Sequence, residues 1–463
     1  MEEGQALVAG SASRRALWLA ELKALGALAL PVVLQTSAQQ GLVVTDQIFL
    51  GHLGTAELGA AAIANSYTNL MWFFLLGFAT ALDTLGSNAY GAGDRRALVT
   101  WCVTAALLVT VLVGPVAVGM SLGGLAASSM FGQDARTSDL MGRFCVGLIP
   151  GMWPLMWGIV LTKYLQVQNV MAAPSVIAVL TFLMNIAFNA ILVRELGFRG
   201  APLATTLSRW AQCRAAVAPG VILRFCKLGI PGGLSMAFEV GCFEFSTILA
   251  AALGPAITAA HAAMLSLVAL TYLACPFALA TAGAIRVGNL LGSGQPEPAR
   301  RSGLLAIALS GGFMALMAVG LLASRSVLGR AFSSDPQVVG VIRDLTLFAA
   351  LFQVSDGLMG SSQGVLRGCG HQHLTAVFNF IGFWVFGVLL GYLLCFKAHL
   401  GIFGLWTGIA SGDSATAVLN LVAISRIKWR KEADQAVHRL QALAKQAEEL
   451  QALVKEASVL QTT

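Results

Sequence analysis

Two strings of landmarks about two hundred residues apart constrain this 463-residue chain more than anything else in it. Leu53-Gly54 recurs as Leu253-Gly254, Ala79-Thr80-Ala81 as Ala280-Thr281-Ala282, and Asn88 as Asn289. Gly91 and Gly93 recur as Gly292 and Gly294, and the Phe131/Asp134 pair as Phe332/Asp335. Order and offset are both kept, so the chain consists of two homologous halves. The landmarks sit on hydrophobic segments and at their ends, and in a membrane protein of two halves the interface is where a substrate pathway belongs.

Composition identifies the solvent. With 57% hydrophobic and 11% charged residues and a mean hydropathy of +0.76, the chain cannot fold around a single water-soluble core. Fifty glycines suit close helix packing in lipid. No ten-residue alternating pattern recurs, which argues against a barrel, and Met1–Arg15 lacks the apolar core of a cleavable signal peptide. Segments of about 20 apolar residues can be drawn at Leu25–Leu50, Leu58–Leu82, Leu98–Leu122, Phe144–Leu165, Val176–Val193, Leu228–Leu253, Ile257–Ile285, Ser302–Leu322, Leu345–Val365, Leu374–Phe396 and Gly404–Ile424. Between the fifth and sixth of these, Ala201–Lys227 is interrupted by Arg209, Arg214, Pro219 and Arg224, a poor helix for lipid.

Charge placement decides how often the chain crosses. If both termini are cytosolic and Ala201–Lys227 crosses once, the inner side receives most Lys and Arg, including Arg95, Arg96, Arg300, Arg301 and the Arg426–Lys431 cluster. Without that crossing the second half would invert the bias. The expected fold is therefore an all-α polytopic membrane protein of about twelve helices in two pseudo-symmetric six-helix bundles, the sixth helix truncated. Its parts are a cytosolic N-terminus (1–24), a first lobe (25–212), a short linker (213–227), a second lobe (228–429) and a cytosolic amphipathic tail (430–463). The net charge of +7 follows the positive-inside rule and implies no nucleic-acid partner. Eight cysteines without a C-x-x-C suggest neither a zinc site nor a disulfide framework.

Chemistry enters where acids sit inside spans. Glu239 and Glu244 lie close to the middle of Leu228–Leu253, and Asp356 occupies the same depth in Leu345–Val365. Intramembrane carboxylates are costly and mark ion or substrate paths; the alternative is a protonated acid donating one hydrogen bond between helices. Asn185 and Asn189, four apart, share a helix face and either line the first lobe or hydrogen-bond between helices. Asp413, mid-span in the last segment, faces a cavity or pairs with a neighbour. The glycine-rich Asp83–Asp94 stretch reads as a cap and packing element rather than a cargo contact.

These residues resemble the multidrug and toxic compound extrusion (MATE) transporters, in their eukaryotic and especially plant-type branch, from about Leu25 to Trp429. The likeness is carried by Leu50-Gly51-His52-Leu53-Gly54, by Ala81-Leu82-Asp83-Thr84-Leu85 with Ala89-Tyr90-Gly91, by Ile285-Arg286-Val287-Gly288-Asn289 with Gly292, and by Gly364-Val365-Leu366-Arg367-Gly368-Cys369-Gly370. The family's proton-linked acids match at Glu239, Glu244 and Asp356, and its second-helix asparagine at Asn69. Asp46 is similar to the first-helix aspartate of bacterial members; a helix-end acid that snorkels is the other reading.

The resemblance implies an antiporter that exports small organic compounds, cationic or polyaromatic, in exchange for H⁺ or Na⁺ by alternating access. It would be a monomer in the lipid bilayer, with cytosolic termini, in the plasma membrane or a vacuolar or other endomembrane. No cofactor, metal or enzyme activity is expected, since H-E-x-x-H, paired metal ligands and a nucleophile with its base are all missing. Competing readings are a lipid-linked saccharide flippase of the same superfamily, which would call for mid-span arginines, and a truncated, non-transporting form. Against the family pattern, the stretch before Gly229-Ile230-Pro231 is about twenty residues short, one helix length. The sixth helix is thus expected to be short and broken near Arg214 or Pro219.

Overall fold

A computed structural model of the chain describes residues 2–51, 53, 55–129, 135–212, 222–333 and 335–438. All regular structure among them is helical. The first half comprises α1 (Glu2–Gly51), α2 (Thr55–Ala79), α3 (Ala81–Gly91), α4 (Arg95–Ser121), α5 (Gly123–Ser129), α6 (Ala135–Val167), α7 (Ala172–Leu196) and α8 (Gly200–Gln212). The second comprises α9 (Ile222–Ala251), α10 (Pro255–Ala274), α11 (Pro276–Gly292), α12 (Pro296–Ser324), α13 (Leu328–Phe332), α14 (Pro336–Cys369), α15 (Gln372–Asn379), α16 (Leu390–Tyr392) and α17 (Gly401–Ser425). A short helix over 429–438 follows.

Among the described residues, ten helical segments are long and apolar enough to cross a bilayer, and the chain is an all-α polytopic membrane protein. The segments depart from those drawn on the sequence for local reasons. The expected Ile257–Ile285 span falls within one crossing-length segment, Ala256–Gly292, whose helix is interrupted between α10 and α11 because Pro276 follows Cys275 and cannot donate to the preceding turn. α17 is long enough but not among the ten, since Ser411, Asp413, Thr416 and Asn420 lower its hydropathy. α8, the expected short sixth helix, has 13 residues and follows α7 through a 3₁₀ turn at Gly197–Arg199. The expected break near Arg214 or Pro219 and most of the 213–227 linker lie outside the described residues, as does the tail beyond residue 438.

The repeat is visible in the packing. α6 packs against α2, α4 and α8; its counterpart α14 packs against α10, α11, α12 and α17. The halves meet along α3 and α11, and there the contact is reciprocal. A methyl built on Gly91 would overlap the Asn289 carbonyl, and one built on Gly292 would overlap the Asn88 carbonyl. Gly288 packs on Ser87, the residue at its own repeat position. Reciprocal contact of this kind is what a two-fold relation produces, so the pseudo-axis passes between α3 and α11.

Three polar contacts flank this crossing. Arg286 on α11 grips Glu21 on α1 through Nε and a terminal nitrogen at 2.9 and 3.1 Å. The Thr84 hydroxyl donates to the Arg367 carbonyl, and Gln372 Nε2 donates to the Thr80 carbonyl at 3.2 Å. In the first half, Asp83 is buried in an ion pair with Lys163 (Nζ–Oδ1 2.9 Å), and Asp94 caps α4 by accepting from the Ala97 amide at 2.9 Å. A second close approach joins α2 and α9, where a side chain on Gly233 would strike Phe74.

The segment drawn as Leu374–Phe396 holds two π-helical runs, Phe380–Leu389 and Leu393–Lys397. Hydrogen bonding from i to i+5 brings residues five apart onto one face, which aligns Gly382 with Gly387. That face meets the Gly404, Gly408 and Gly412 stripe of α17 backbone to backbone.

Gly292→Ala should lower the thermal midpoint in detergent, because its neighbour is the Asn88 backbone, which cannot rotate aside; overpacking costs about 1–3 kcal/mol. Gly320→Ala on α12, with open space around it, should be neutral or raise the midpoint by about 0.5–1 kcal/mol equivalent. Equal shifts for the two would contradict a tight crossing.

Candidate functional site

The two acids of α9 go to different places because five residues turn a helix through about 140° beyond a full turn. Ser235, Glu239, Cys242 and Ser246 follow one face into the second half, where Ser235, Cys242 and Ser246 are buried. Glu244 points elsewhere, towards α2.

Glu239 enters an amide network. Gln363 Nε2 and Asn379 Nδ2 both approach its Oε2 at 3.4 Å, while Gln363 donates to Asn379 Oδ1 at 3.0 Å. Asn379 is held in turn by the Ser235 carbonyl and hydroxyl at 2.9 and 3.0 Å. On α14, Asp356, Gly360, Gln363 and Arg367 recur at four- and three-residue steps and therefore share a face. Tyr272 of α10 lies in van der Waals reach of Gly360, where a larger residue would collide with its ring. Asp356 is 5% exposed and Asp413 wholly buried. The charges of Asp356, Asp413 and Glu239 act on one another, and the Arg367 guanidinium acts on Glu239. Among the described residues, none of the three forms an ion pair. Neither carboxylate oxygen of Asp413 meets the distance and angle of a hydrogen bond among the described residues, and Ser355 stands near it.

Glu244 lies beside the side chains of Ser66 and Asn69 of α2, both able to donate to its carboxyl. Asn69 and Glu244 accordingly meet directly across the interface between the halves, on the α2–α9 contact that is among the most extensive in the molecule. Asn69 does not join Glu239 and Asp356.

The first half has its own polar group. Asp46 is 5% exposed, which rules out the snorkelling alternative for it. Its Oδ1 accepts from Asn189 Nδ2 at 2.8 Å and its Oδ2 from the Thr205 hydroxyl at 2.6 Å. Asn185 completes the group, donating to Thr205 Oγ1 at 3.2 Å and accepting from Asn189. The residues come from α1, α7 and α8, so the shared helix face of Asn185 and Asn189 serves hydrogen bonding between helices.

Sequence reasoning missed Ser66, Thr205, Ser235, Tyr272, Gln363 and Asn379. Gln363 had a signal, since it stands two turns after Asp356, and Ser235 stands one turn before Glu239. Thr205 and Asn379 had none, being polar residues brought to the acids by other helices.

Comparison with known proteins agrees with this geometry. The family model for MatE matches residues 31–191 and again 231–393. Protein DETOXIFICATION 11 of Arabidopsis thaliana is 29% identical over 454 residues, covering 93% of this chain and 92% of its own length. Protein DETOXIFICATION 6 of the same plant is 30% identical over 466 residues, covering 94% and 95%. The crystal structure of the eukaryotic MATE transporter AtDTX14 superposes with a TM-score of 0.86 at 27% identity, over 91% of this chain and 99% of that one. Fold, buried acids and likeness together define a polytopic membrane transporter of the multidrug efflux type, not an enzyme. The chain belongs to the MatE family, in its eukaryotic branch.

Thr205→Val should destabilise the protein by about 1–3 kcal/mol, the cost of leaving a buried acceptor short of a donor. In an Asp46→Asn background the same change should cost less, because no charge is then left under-satisfied. Additive losses in the thermal midpoint of the double variant would contradict a direct Thr205–Asp46 bond.

Proposed function

We propose that the chain exports small organic compounds, cationic or polyaromatic, in exchange for H⁺ or Na⁺ by alternating access between its two halves. The observation that supports this most is the group of three buried acids, Glu239, Asp356 and Asp413, drawn from α9, α14 and α17, none of them in an ion pair among the described residues and with one buried cation, Arg367, acting on Glu239. Three acids and one arginine leave an excess of negative charge in a low-dielectric interior, which a proton or a further cation held among them relieves. A group that must hold a positive species, and can exchange one for another, is what coupling requires.

Glu244 ties this to the movement of the halves. As a carboxylate it can accept from the neighbouring Ser66 and Asn69 and so hold α9 to α2; as an acid it loses an acceptor and that hold weakens. A positively charged cargo offers Glu244 the same relief by a different route, so cargo and coupling ion compete. The Asp46, Asn185, Asn189 and Thr205 group of the first half is a second polar station, its carboxylate already satisfied by donors. The distribution of lysines and arginines supports cytosolic termini on this reading.

Uptake into proteoliposomes carrying an imposed pH gradient, with and without Na⁺, tests the proposal against a panel of cationic and flavonoid-like compounds. Transport indifferent to both gradients would overturn coupled antiport. Glu239→Gln and Asp356→Asn should each abolish gradient-driven uptake at normal membrane levels, since each removes a titratable group and keeps its size. Glu244→Gln should reduce it less, because the three-acid group stays whole. Full uptake by both Glu239→Gln and Asp356→Asn would remove these acids from the coupling path.

A further inference from the structure

The short helix over 429–438 returns from the end of α17 and lies against the second half. Trp429, Ala433 and Ala436 are buried among Leu290 and Leu291 of α11, Ala299 and Ile307 of α12, and Leu366 and Cys369 of α14. Amid this apolar contact sits Glu432, 7% exposed. Its Oε1 lies 3.2 Å from His371 Nε2, while its Oε2 has no hydrogen-bond partner.

His371 occupies a singular place in the chain. Gly370, in the left-handed region at φ +84°, ends α14, and Gln372 begins α15. Gln372 is wholly buried and donates to the Thr80 carbonyl of the first half. Two consecutive residues at this joint therefore touch different bodies: His371 the tail helix, Gln372 the opposite half. Four residues before His371, in α14, the Arg367 carbonyl accepts from Thr84, also of the opposite half.

We propose that helix 429–438 is a proton-sensitive latch, closed by the His371–Glu432 contact, that holds the α14–α15 joint and with it the Gln372 and Arg367 contacts between the halves. A buried carboxylate with one oxygen unpartnered is costly unless its charge is compensated. The imidazole compensates it when protonated and loses that charge when neutral. Docking is thus strongest at low pH on the side of the membrane where the tail lies, and is lost as pH rises there. The other groups at the joint are His373 of α15, its ring 5.8 Å from that of His371, and the buried Arg367 of α14. α11 and α12 present apolar residues to the tail helix in this contact. Protonation of His373 would oppose that of His371, which sharpens the dependence on Glu432. The latch regulates the transport cycle proposed above without belonging to the coupling acids, and the link to transport rests on that reading.

Hydrogen exchange of the full chain in lipid nanodiscs, corrected for the intrinsic effect of pH, reads the latch without reference to transport. Amides of 429–438 should be protected at about pH 6 and exchange several-fold faster at about pH 8. Glu432→Gln should exchange fast at both, and His371→Lys, permanently charged, slowly at both. Protection equal at both pH values in the unaltered chain, or His371→Lys behaving as His371→Gln, would overturn the proposal; these two comparisons stand even if Glu432→Gln fails to fold. In proteoliposomes, a pH step on the tail side at constant driving gradient should change the initial rate several-fold in the unaltered chain and not in His371→Lys. Absence of transport in every chain would count against coupled antiport, while the exchange pattern would still decide the latch.

Discussion

Everything in this molecule hangs on the crossing of α3 and α11, where two backbones touch. Helices in lipid gain nothing from hiding apolar surface, since the solvent is as apolar as they are, so association depends on how closely their surfaces fit. Gly91 admits the Asn289 carbonyl and Gly292 admits the Asn88 carbonyl. A contact that each half makes with the same residues of the other fixes the relation between them as a rotation. From that relation follow the matching roles of α6 and α14, the approach of α9 to α2, and the reach of Glu244 to Ser66 and Asn69.

The interior does not share the symmetry of the crossing. At the offset that relates Asn88 to Asn289, Asp356 corresponds to Leu155, and at that of Leu53 and Leu253, Asp46 corresponds to Ser246. Both halves keep a buried acid, but at unrelated positions and in different states of satisfaction. Asp46 receives a donor at each oxygen. Asp356 feels the charges of Asp413 and Glu239 instead. A satisfied carboxylate has little to gain from another ligand, whereas an acid crowded by acids is stabilised by any positive species that arrives. The proposed coupling role falls on the second half for that physical reason.

Membrane class, the repeat and the midplane acids were legible in the sequence, because hydropathy, spacing and the rarity of intramembrane charge are properties of one segment at a time. Glu239, Glu244 and Asp356 needed no partner to be noticed. Their division between two environments was not legible, although the 140° between Glu239 and Glu244 was there to be counted. Thr205 and Asn379 could not be found at all, for a hydroxyl or amide becomes significant only when another helix carries an acid to it. The π-helical runs escaped for a related reason: 3.6-residue periodicity describes a helix in isolation, and Gly382 and Gly387 line up only against the glycine stripe of α17.

α14 connects the two levels of the structure. Along one of its faces Asp356, Gly360, Gln363 and Arg367 run from the acid group to the contact with the first half, about 16 Å at 1.5 Å per residue. A helix is stiff over that length, so a change in the setting of Asp356 is felt at Arg367 as displacement rather than as bending. What it meets there are hydrogen bonds to carbonyls, Thr84 to Arg367 and Gln372 to Thr80. Each is worth about 0.5–1.5 kcal/mol net, and breaking one leaves neutral groups that water can satisfy. Except for the Glu21–Arg286 pair, the contacts flanking the crossing separate without stranding a charge, whereas the acid group cannot change its charge without a compensating ion. On the proposed reading, that inequality lets a proton or cation at the acids govern an interface it does not touch.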